Sequence, residues 1–359
     1  VDIVKGLILS GGSGTRLRPL THTNAKQLIP IANKPNLFYA IEDVVNAGIK
    51  DIGIIVGHTK EEVKAAVGDG SRWGAKVTYI EQDAPRGLAH AVLISEKFLG
   101  KEPFVMYLGD NLLKGGIKEF VKEFENSDAD ASIMLCKVKD PQRFGVAEID
   151  AKGRVISLEE KPKQPKSDLA LVGIYMFRHS IFEAVKNIKP SWRNELEITD
   201  AIFYLVKHGK KVTAHMVKGW WKDTGKPEDI LEANRLILET LEPNIEGTVE
   251  EGVEIVGRVA IGEATVVRRG SSIHGPAIIG RNCEIGPNTY VGPFTSIGDN
   301  CKLVNVEIEN SVLIGDSVIE CSKRIRDSLI GKNVHVSSAD HNVPKCHKLI
   351  LGEHSKISI

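Results

Sequence analysis

The sequence predicts an α/β domain on a mostly parallel sheet, followed by a parallel β-helix. Three observations carry this. Apolar strand-like runs alternate with helical patterns from Ile3 to about Leu241. Every sixth residue from Val249 to Leu303 is aliphatic. Between the two regions Leu241-Glu242-Pro243-Asn244 reads as a short linker, which sets domains of 1–241 and 242–359.

In the first region Ile3–Leu9, Ile52–Val56, Val77–Ile80, Phe104–Leu108, Ala131–Leu135 and Leu171–Phe177 read as strands. Asn36–Ala47, Thr59–Val67, Gly87–Phe98 and Ile117–Phe124 read as helices. Alternation of this kind implies a three-layer, mostly parallel arrangement. Ligands of such sheets bind beyond the carboxyl ends of the strands. In the second region a helix cannot hold a period of six. Three short strands make one triangular coil, and coils stack into a solenoid. The repeat loses phase near Glu309 and resumes irregularly around Val312–Gly315 and Leu329–Gly331, and the tail through Ile359 is expected to cap the stack. Cys283 and Cys301 should lie one coil apart on the same inward row, as small buried hydrophobes or as a metal pair or disulfide.

Composition narrows the function. Lys plus Arg and Asp plus Glu number 47 each, so net charge is zero. That argues against a nucleic-acid or anionic-membrane surface. No apolar run approaches a membrane span, and the N-terminus has a strand pattern rather than a signal-peptide layout. The five cysteines are dispersed, with no C-x-x-C pair. A cytoplasmic, reduced protein without structural zinc is expected.

The run Gly11-Gly12-Ser13-Gly14-Thr15-Arg16 follows the first strand. Glycines let backbone N–H groups approach phosphate closely, and a guanidinium adds charge-assisted bonds. A dinucleotide fingerprint would need glycine at Leu17, and a Walker A loop would need Gly-Lys-Ser/Thr, so neither fits. The loop is a phosphate binder of a third kind or a tight turn. Lys26 suits a polyphosphate as a second cation, or is surface charge. Asp110, after the strand Phe104–Leu108, could hold a metal on a nucleotide or serve a turn. Asp223, beside Trp220 and Trp221, belongs to a shaped pocket or follows core aromatics. Lys161 precedes Pro162, which disfavours helix, so extended backbone is expected there; Glu160-Lys161 is otherwise surface decoration.

Taken together, the stretches GGSGTRLRPLT, AKQLIPIANKP, EQDAPRGLAHA, LGDN, RFGVAEID, SLEEKP, NELEITD and WWKDTG resemble the sugar-1-phosphate nucleotidylyltransferase family, and within it the long-form thymidylyl-transferring members. The resemblance implies a Rossmann-like domain and makes the solenoid a left-handed β-helix. It implies dTTP and glucose 1-phosphate as substrates, Mg2+ as cofactor and a homo-oligomer. Residue by residue, Leu9, Gly11, Gly12, Gly14 and Thr15 match the triphosphate cradle, and Gln82 and Gly87 the base contacts. Arg16 and Lys26 match the cations on the reacting phosphates, and Lys161 the lysine on the sugar phosphate. Asp110 and Asp223 match the magnesium ligands. Gly145, Glu160, Val172, Glu197 and Trp221 match the sugar pocket. Two departures stand out: Phe144 replaces a tyrosine common in short forms, and Arg86 replaces an acidic or small residue.

Competing readings follow from the same resemblance. UTP could replace dTTP, since Gln82 would contact a ring edge that both bases share. Hexapeptide β-helices also serve acyltransferases, so a bifunctional uridylyl- and acetyltransferase is an alternative, against which the short solenoid argues. Non-catalytic subunits of translation-factor complexes share the two-domain plan but tend to lose the charged residues kept here.

Overall fold

The computed structural model describes residues 4–22 and 25–338. Its contacts form two compact units. One comprises Val1–Ser13, Asn24–Leu28 and Asn36–Asp223; the other comprises Gly14–Thr23, Ile29–Pro35 and Thr224–Ile359.

The first unit holds a nine-stranded sheet. Its strands are β1 (Lys5–Ser10), β2 (Asp51–Val56), β3 (Lys76–Glu81) and β4 (Phe104–Leu108), then β6 (Ala131–Lys137), β7 (Gly145–Ile149), β8 (Val155–Glu160), β9 (Leu169–Phe177) and β10 (Val212–Met216), while β5 (Asn111–Leu113) pairs separately with β11 (Trp221–Asp223). The order is β8-β7-β9-β4-β1-β2-β3, with β6 beside β9 and β10 beside β6. β4, β1, β2 and β3 run parallel. The near-continuous apolar runs of β4, β1 and β2 suit strands covered on both faces, whereas β3, at the end of the strand order, is only partly buried.

Alternation decides which core each residue enters. Leu7 and Leu9 join one cluster with Met106 and Phe177; Ile8 joins the other with Val105 and Tyr107. Helices α3 (Leu88–Ile94), α5 (Ile181–Asn187) and α6 (Ile198–Lys207) cover the first face, and α1 (Asn36–Asn46), α2 (Lys60–Val67) and α4 (Lys118–Glu125) the second.

One expectation is corrected. The helix expected over Gly87–Phe98 breaks at Ser95, whose buried hydroxyl donates to the Ala91 carbonyl at 2.7 Å, and a short helix restarts at Glu96–Leu99. A serine that bonds back four residues competes with the helical ladder. The sheet is mostly parallel and mixed, in keeping with the expected arrangement, with its antiparallel pairs on one side. β9 is antiparallel to β4, β6 and β7, and β7–β8 is a hairpin. Asp150 builds the hairpin turn, its Oδ1 accepting from the Lys152 and Arg154 N–H groups.

The second unit contains the left-handed parallel β-helix, with three parallel sheets whose strands recur every third element. Ile255, Ile273 and Val291 align in one sheet, Ile261, Ile279 and Ile297 in another, and Val267, Ile285 and Leu303 in the third. Most of this row is fully buried. The phase loss near Glu309 is a shortening of the coil. Up to Val291 partners lie 18 residues apart; then Val291 pairs with Ile308 (17 apart) and Ile297 with Leu313 (16 apart). Stacking continues through Val336. Cys283 and Cys301 are buried free thiols on neighbouring coils. The expected cap lies outside the described residues.

Helix α7 (Pro227–Leu238) belongs to this unit. Its Asn234 is fully buried and makes three hydrogen bonds. Oδ1 accepts from the Ala32 N–H at 2.8 Å and the Ser296 hydroxyl at 2.7 Å, and Nδ2 donates to the Phe294 carbonyl at 3.0 Å. Asn33 Nδ2 donates to the Ile297 carbonyl at 2.7 Å. These bonds explain why residues 29–35 group with the β-helix. Among the described residues no helix is long and apolar enough to cross a membrane.

Candidate active site

Registry between β1 and β4 builds the first cleft. Leu9 is the Cα partner of Leu108, and the Gly109 N–H donates to the Leu9 carbonyl at 2.9 Å. Any Cβ at Gly109 would stand 2.9 Å from Leu37 and 3.0 Å from the Leu9 carbonyl oxygen, so glycine permits this approach. Gly11-Gly12 and Asp110 thereby emerge side by side at the carboxyl ends of adjacent strands. They line a cleft of about 200 Å³ with Leu9, Lys26, Gln82 and Gly87.

Lys26 donates to Asp110 Oδ2, forming an ion pair whose side chains are 15 % and 12 % exposed. Burial pushes the Asp110 carboxyl up, but the Lys26 ammonium, with help from Asn111, holds it below the ordinary carboxylate range. The sign is that of a depressed carboxylate: the pair's contribution to stability is present at neutral pH and is lost as pH falls through the lowered pKa.

Asn111 donates to Asp110 Oδ1 at 3.0 Å and accepts from Trp221 Nε1 at 2.6 Å. Trp221 is 8 % exposed, lies in the sheet core and meets Phe144 edge-on at 5.2 Å. Its single N–H is therefore committed to orienting the acid. The β5–β11 ladder pairs Asp223 with Asn111, which brings the Asp223 backbone alongside the residue that follows Asp110.

Gly14, Thr15 and Arg16 fall in the second unit. Gly14 has φ +64°, the Thr21 hydroxyl donates to its carbonyl at 2.7 Å, and Arg16 is exposed in the turn Thr15–Leu17.

A second cleft of about 730 Å³ lies at the end of β8, lined by Glu159, Glu160, Lys161, Ser191, Trp192, Glu197 and Asp200. Glu160 is the Cα partner of Gly145, where a Cβ would stand 2.6 Å from Thr199 and 3.1 Å from Glu160 Oε2. Glycine lets the carboxylate and the threonine meet, and the Thr199 hydroxyl donates to Glu160 Oε2 at 3.4 Å. Burial raises the Glu160 pKa, and Glu197 adds to the rise. Lys161 departs from the extended backbone expected before proline. Its φ is +44°, a region costly for a residue with a Cβ, and its N–H donates to the Phe144 carbonyl at 3.0 Å. Val172 is fully buried in the sheet core.

Arg193, which the motif reading did not single out, ties this cleft together. Its guanidinium lies 3.6 Å from Glu160, 2.9 Å from Glu195 and 3.4 Å from Glu197. One cation followed at two and four residues by Glu195 and Glu197 in Arg193-Asn194-Glu195-Leu196-Glu197 was the available signal. Asn111 and His90 were likewise not singled out.

A family model described as nucleotidyl transferase matches residues 5–240. The chain belongs to the nucleotidyl transferase family. In this nucleotidyl transferase a second model, described as GMPPB C-terminal domain, matches residues 273–358. The chain is 54 % identical to a glucose-1-phosphate thymidylyltransferase of Streptomyces antibioticus, over 99 % of each. It is 49 % identical to the low-salt glycan biosynthesis nucleotidyltransferase Agl11 of Haloferax volcanii, over 99 % of this chain and 100 % of that one. A solved UDP-glucose pyrophosphorylase complexed with UDP-glucose superposes with a TM-score of 0.61 at 28 % identity, covering 66 % of this chain and 99 % of that one.

Nucleotidyl transferases of this family generally use a divalent metal. Among the described residues no group of three or more acidic, histidine or cysteine side chains forms a metal site. The two-carboxylate set fits a hard ion nonetheless. Magnesium is commonly held by one or two carboxylates while substrate phosphates and water complete its shell. Asp110, buried and kept ionised, and Asp223, on the strand laddered to Asn111, match that donor set.

Proposed function

We propose that this nucleotidyl transferase moves a thymidylyl group from dTTP to glucose 1-phosphate, giving dTDP-glucose and pyrophosphate. The observation that carries the reading is a single cleft with an amide, Gln82, among its lining and a buried Lys26–Asp110 pair beside glycines. The likeness to thymidylyltransferases over the full chain supports it. In chain order the catalytic region is 1–241 and the β-helix region 242–359, although Gly14–Thr23, Ile29–Pro35 and helix α7 group with the β-helix. The protein works in the cytoplasm as a homo-oligomer.

A sugar-phosphate oxygen attacks the α-phosphorus of dTTP in line. The new P–O bond forms as the α–β bridging P–O bond breaks, and pyrophosphate carries away the electron pair. No covalent enzyme intermediate is needed. The barrier lies in holding two anions together and in stabilising charge on the transferred group. Leu9, Gly11, Gly12, Gly14 and Thr15 cradle the triphosphate, while Gln82 and Gly87 hold the base. Arg16 and Lys26 meet charge on the phosphates, and Lys161 steers the sugar phosphate. Glu160, Gly145 and Glu197 accept the hexose, with Val172 and Trp221 shaping the pocket from the core. Asp110 and Asp223 would hold Mg2+, which offsets phosphate charge when bound.

The test is pyrophosphate release from a panel of nucleoside triphosphates with glucose, galactose and glucosamine 1-phosphates. The pair dTTP and glucose 1-phosphate should lead, and absence of release from it defeats the reading. Replacing Lys161 with alanine should raise the KM for the sugar phosphate by about tenfold or more, the scale of one charge-assisted contact. The KM for dTTP should stay near its original value. Unchanged sugar-phosphate kinetics would remove Lys161 from this role.

A further inference from the structure

Among the described residues the Gln82 amide is held through its nitrogen. Its Nε2 lies 3.3 Å from the Gly87 carbonyl oxygen and 3.0 Å from His90 Nδ1. A carbonyl can only accept, so the amide atom facing Gly87 is the NH2 donor. The Gly87 carbonyl has little freedom to move. A Cβ at Gly87 would stand 2.3 Å from the Leu196 oxygen, φ there is +103°, and pairing of Arg86 and Ala89 with Leu196 brackets it. With NH2 assigned, the ring atom of His90 that meets it must carry a lone pair. His90 is then neutral, with its proton on Nε2.

Both amide hydrogens of Gln82 are thus spent inside the protein. Oε1 is left toward Gly11, where a Cβ would stand 3.5 Å from it, on the wall of the glycine cleft.

We propose that His90, in the first turn of α3, is a positioning residue that locks the Gln82 amide with its oxygen toward the ligand, so that the cleft demands an N–H from the base at that point. This rests on the thymidylyl-transfer reading for the identity of the base. Thymine and uracil present an imide N3–H there, whereas cytosine presents a lone pair. An unlocked amide could rotate and offer NH2 instead, accepting either pattern. Burial, and then the charge of Arg86, lower the His90 pKa against the opposing pull of Asp83, which favours the neutral ring. Arg86 is itself paired with Asp83 at 2.5 Å.

The test is equilibrium binding of dTTP and dCTP by calorimetry, independent of turnover. His90→Phe keeps an aromatic ring but removes the acceptor. It should lower the dTTP/dCTP affinity ratio by about tenfold, the scale of one hydrogen bond exchanged for a mismatch. His90→Gln restores a side-chain acceptor and should keep the ratio within about threefold of the original. In a Gln82→Ala background, His90→Phe should change the ratio no further, and melting temperatures of all variants check folding. A ratio unchanged in a folded His90→Phe variant, or one that falls equally in His90→Gln, overturns the role. Failure of pyrophosphate release with intact dTTP binding and selectivity would instead overturn the transfer reading and leave His90's role standing.

Discussion

Asp110→Asn should lower turnover by at least about a hundredfold at saturating magnesium, the scale of losing one strong electrostatic contact at a reacting centre. The substitution keeps the shape of the side chain. It removes the charge that Lys26 pairs with, and turns an acceptor-only carboxylate into a group that presents NH2 to phosphate or metal. Asn111 and Trp221 would still hold the side chain in position, so the loss should fall on kcat more than on the affinity for dTTP. Steady-state kinetics with both substrates varied check this. Near-normal turnover would remove Asp110 from the chemistry.

Lys26→Met should be the most disruptive single change in the cleft. It leaves a buried carboxylate without its counter-charge. Breaking a buried pair from one side costs about 3 to 5 kcal/mol, because Asp110 keeps its desolvation and loses what offset it. Turnover should fall by about a hundredfold or more as phosphate charge goes unmatched. The paired measurement is denaturant unfolding together with pyrophosphate release. Lys26→Arg should recover most of the stability and only part of the rate, since a planar fork cannot reproduce a compact ammonium. A Lys26→Met protein as stable as the original would mean that the pair is not a structural contact.

What the sequence made legible follows from which signals are local. β1 and β4 were readable as unbroken apolar runs, and Gly11-Gly12 and Asp110 fall where such strands end. The aliphatic row of the β-helix was readable because each inward residue reports its own position. The antiparallel run of β9 was not, because a fully buried strand has no alternation and no mark of direction. The shortened coils were misread as lost phase, since counting by sixes assumes corners of constant length, whereas stacking requires only that strands align. The nearness of Asp223 to Asp110 came from resemblance alone. Some 110 residues separate the two strands of its ladder, and no local pattern encodes that pairing. Arg193 was hidden because a charged residue in a polar loop looks solvated until Glu160 arrives from another strand. The backbone of Lys161 is set by its N–H bond to Phe144, which outweighed the preference that the following proline imposes.

The bonds of Asn234 reset where this chain can be divided. Its carboxamide spends one oxygen and one nitrogen on Ala32, Ser296 and Phe294, two of which lie beyond the apparent linker at 241–244. A chain cut at that linker would retain the helix but strip the amide of its solenoid partners. Each hydrogen bond given up to water costs about 0.5 to 1.5 kcal/mol, and the apolar surface uncovered with it adds to a loss that is sizeable against the margin that keeps a protein folded. The repeats are therefore less a detachable tail than the closing side of a shared lock, whose tongue, residues 29–35, is threaded from near the start of the chain.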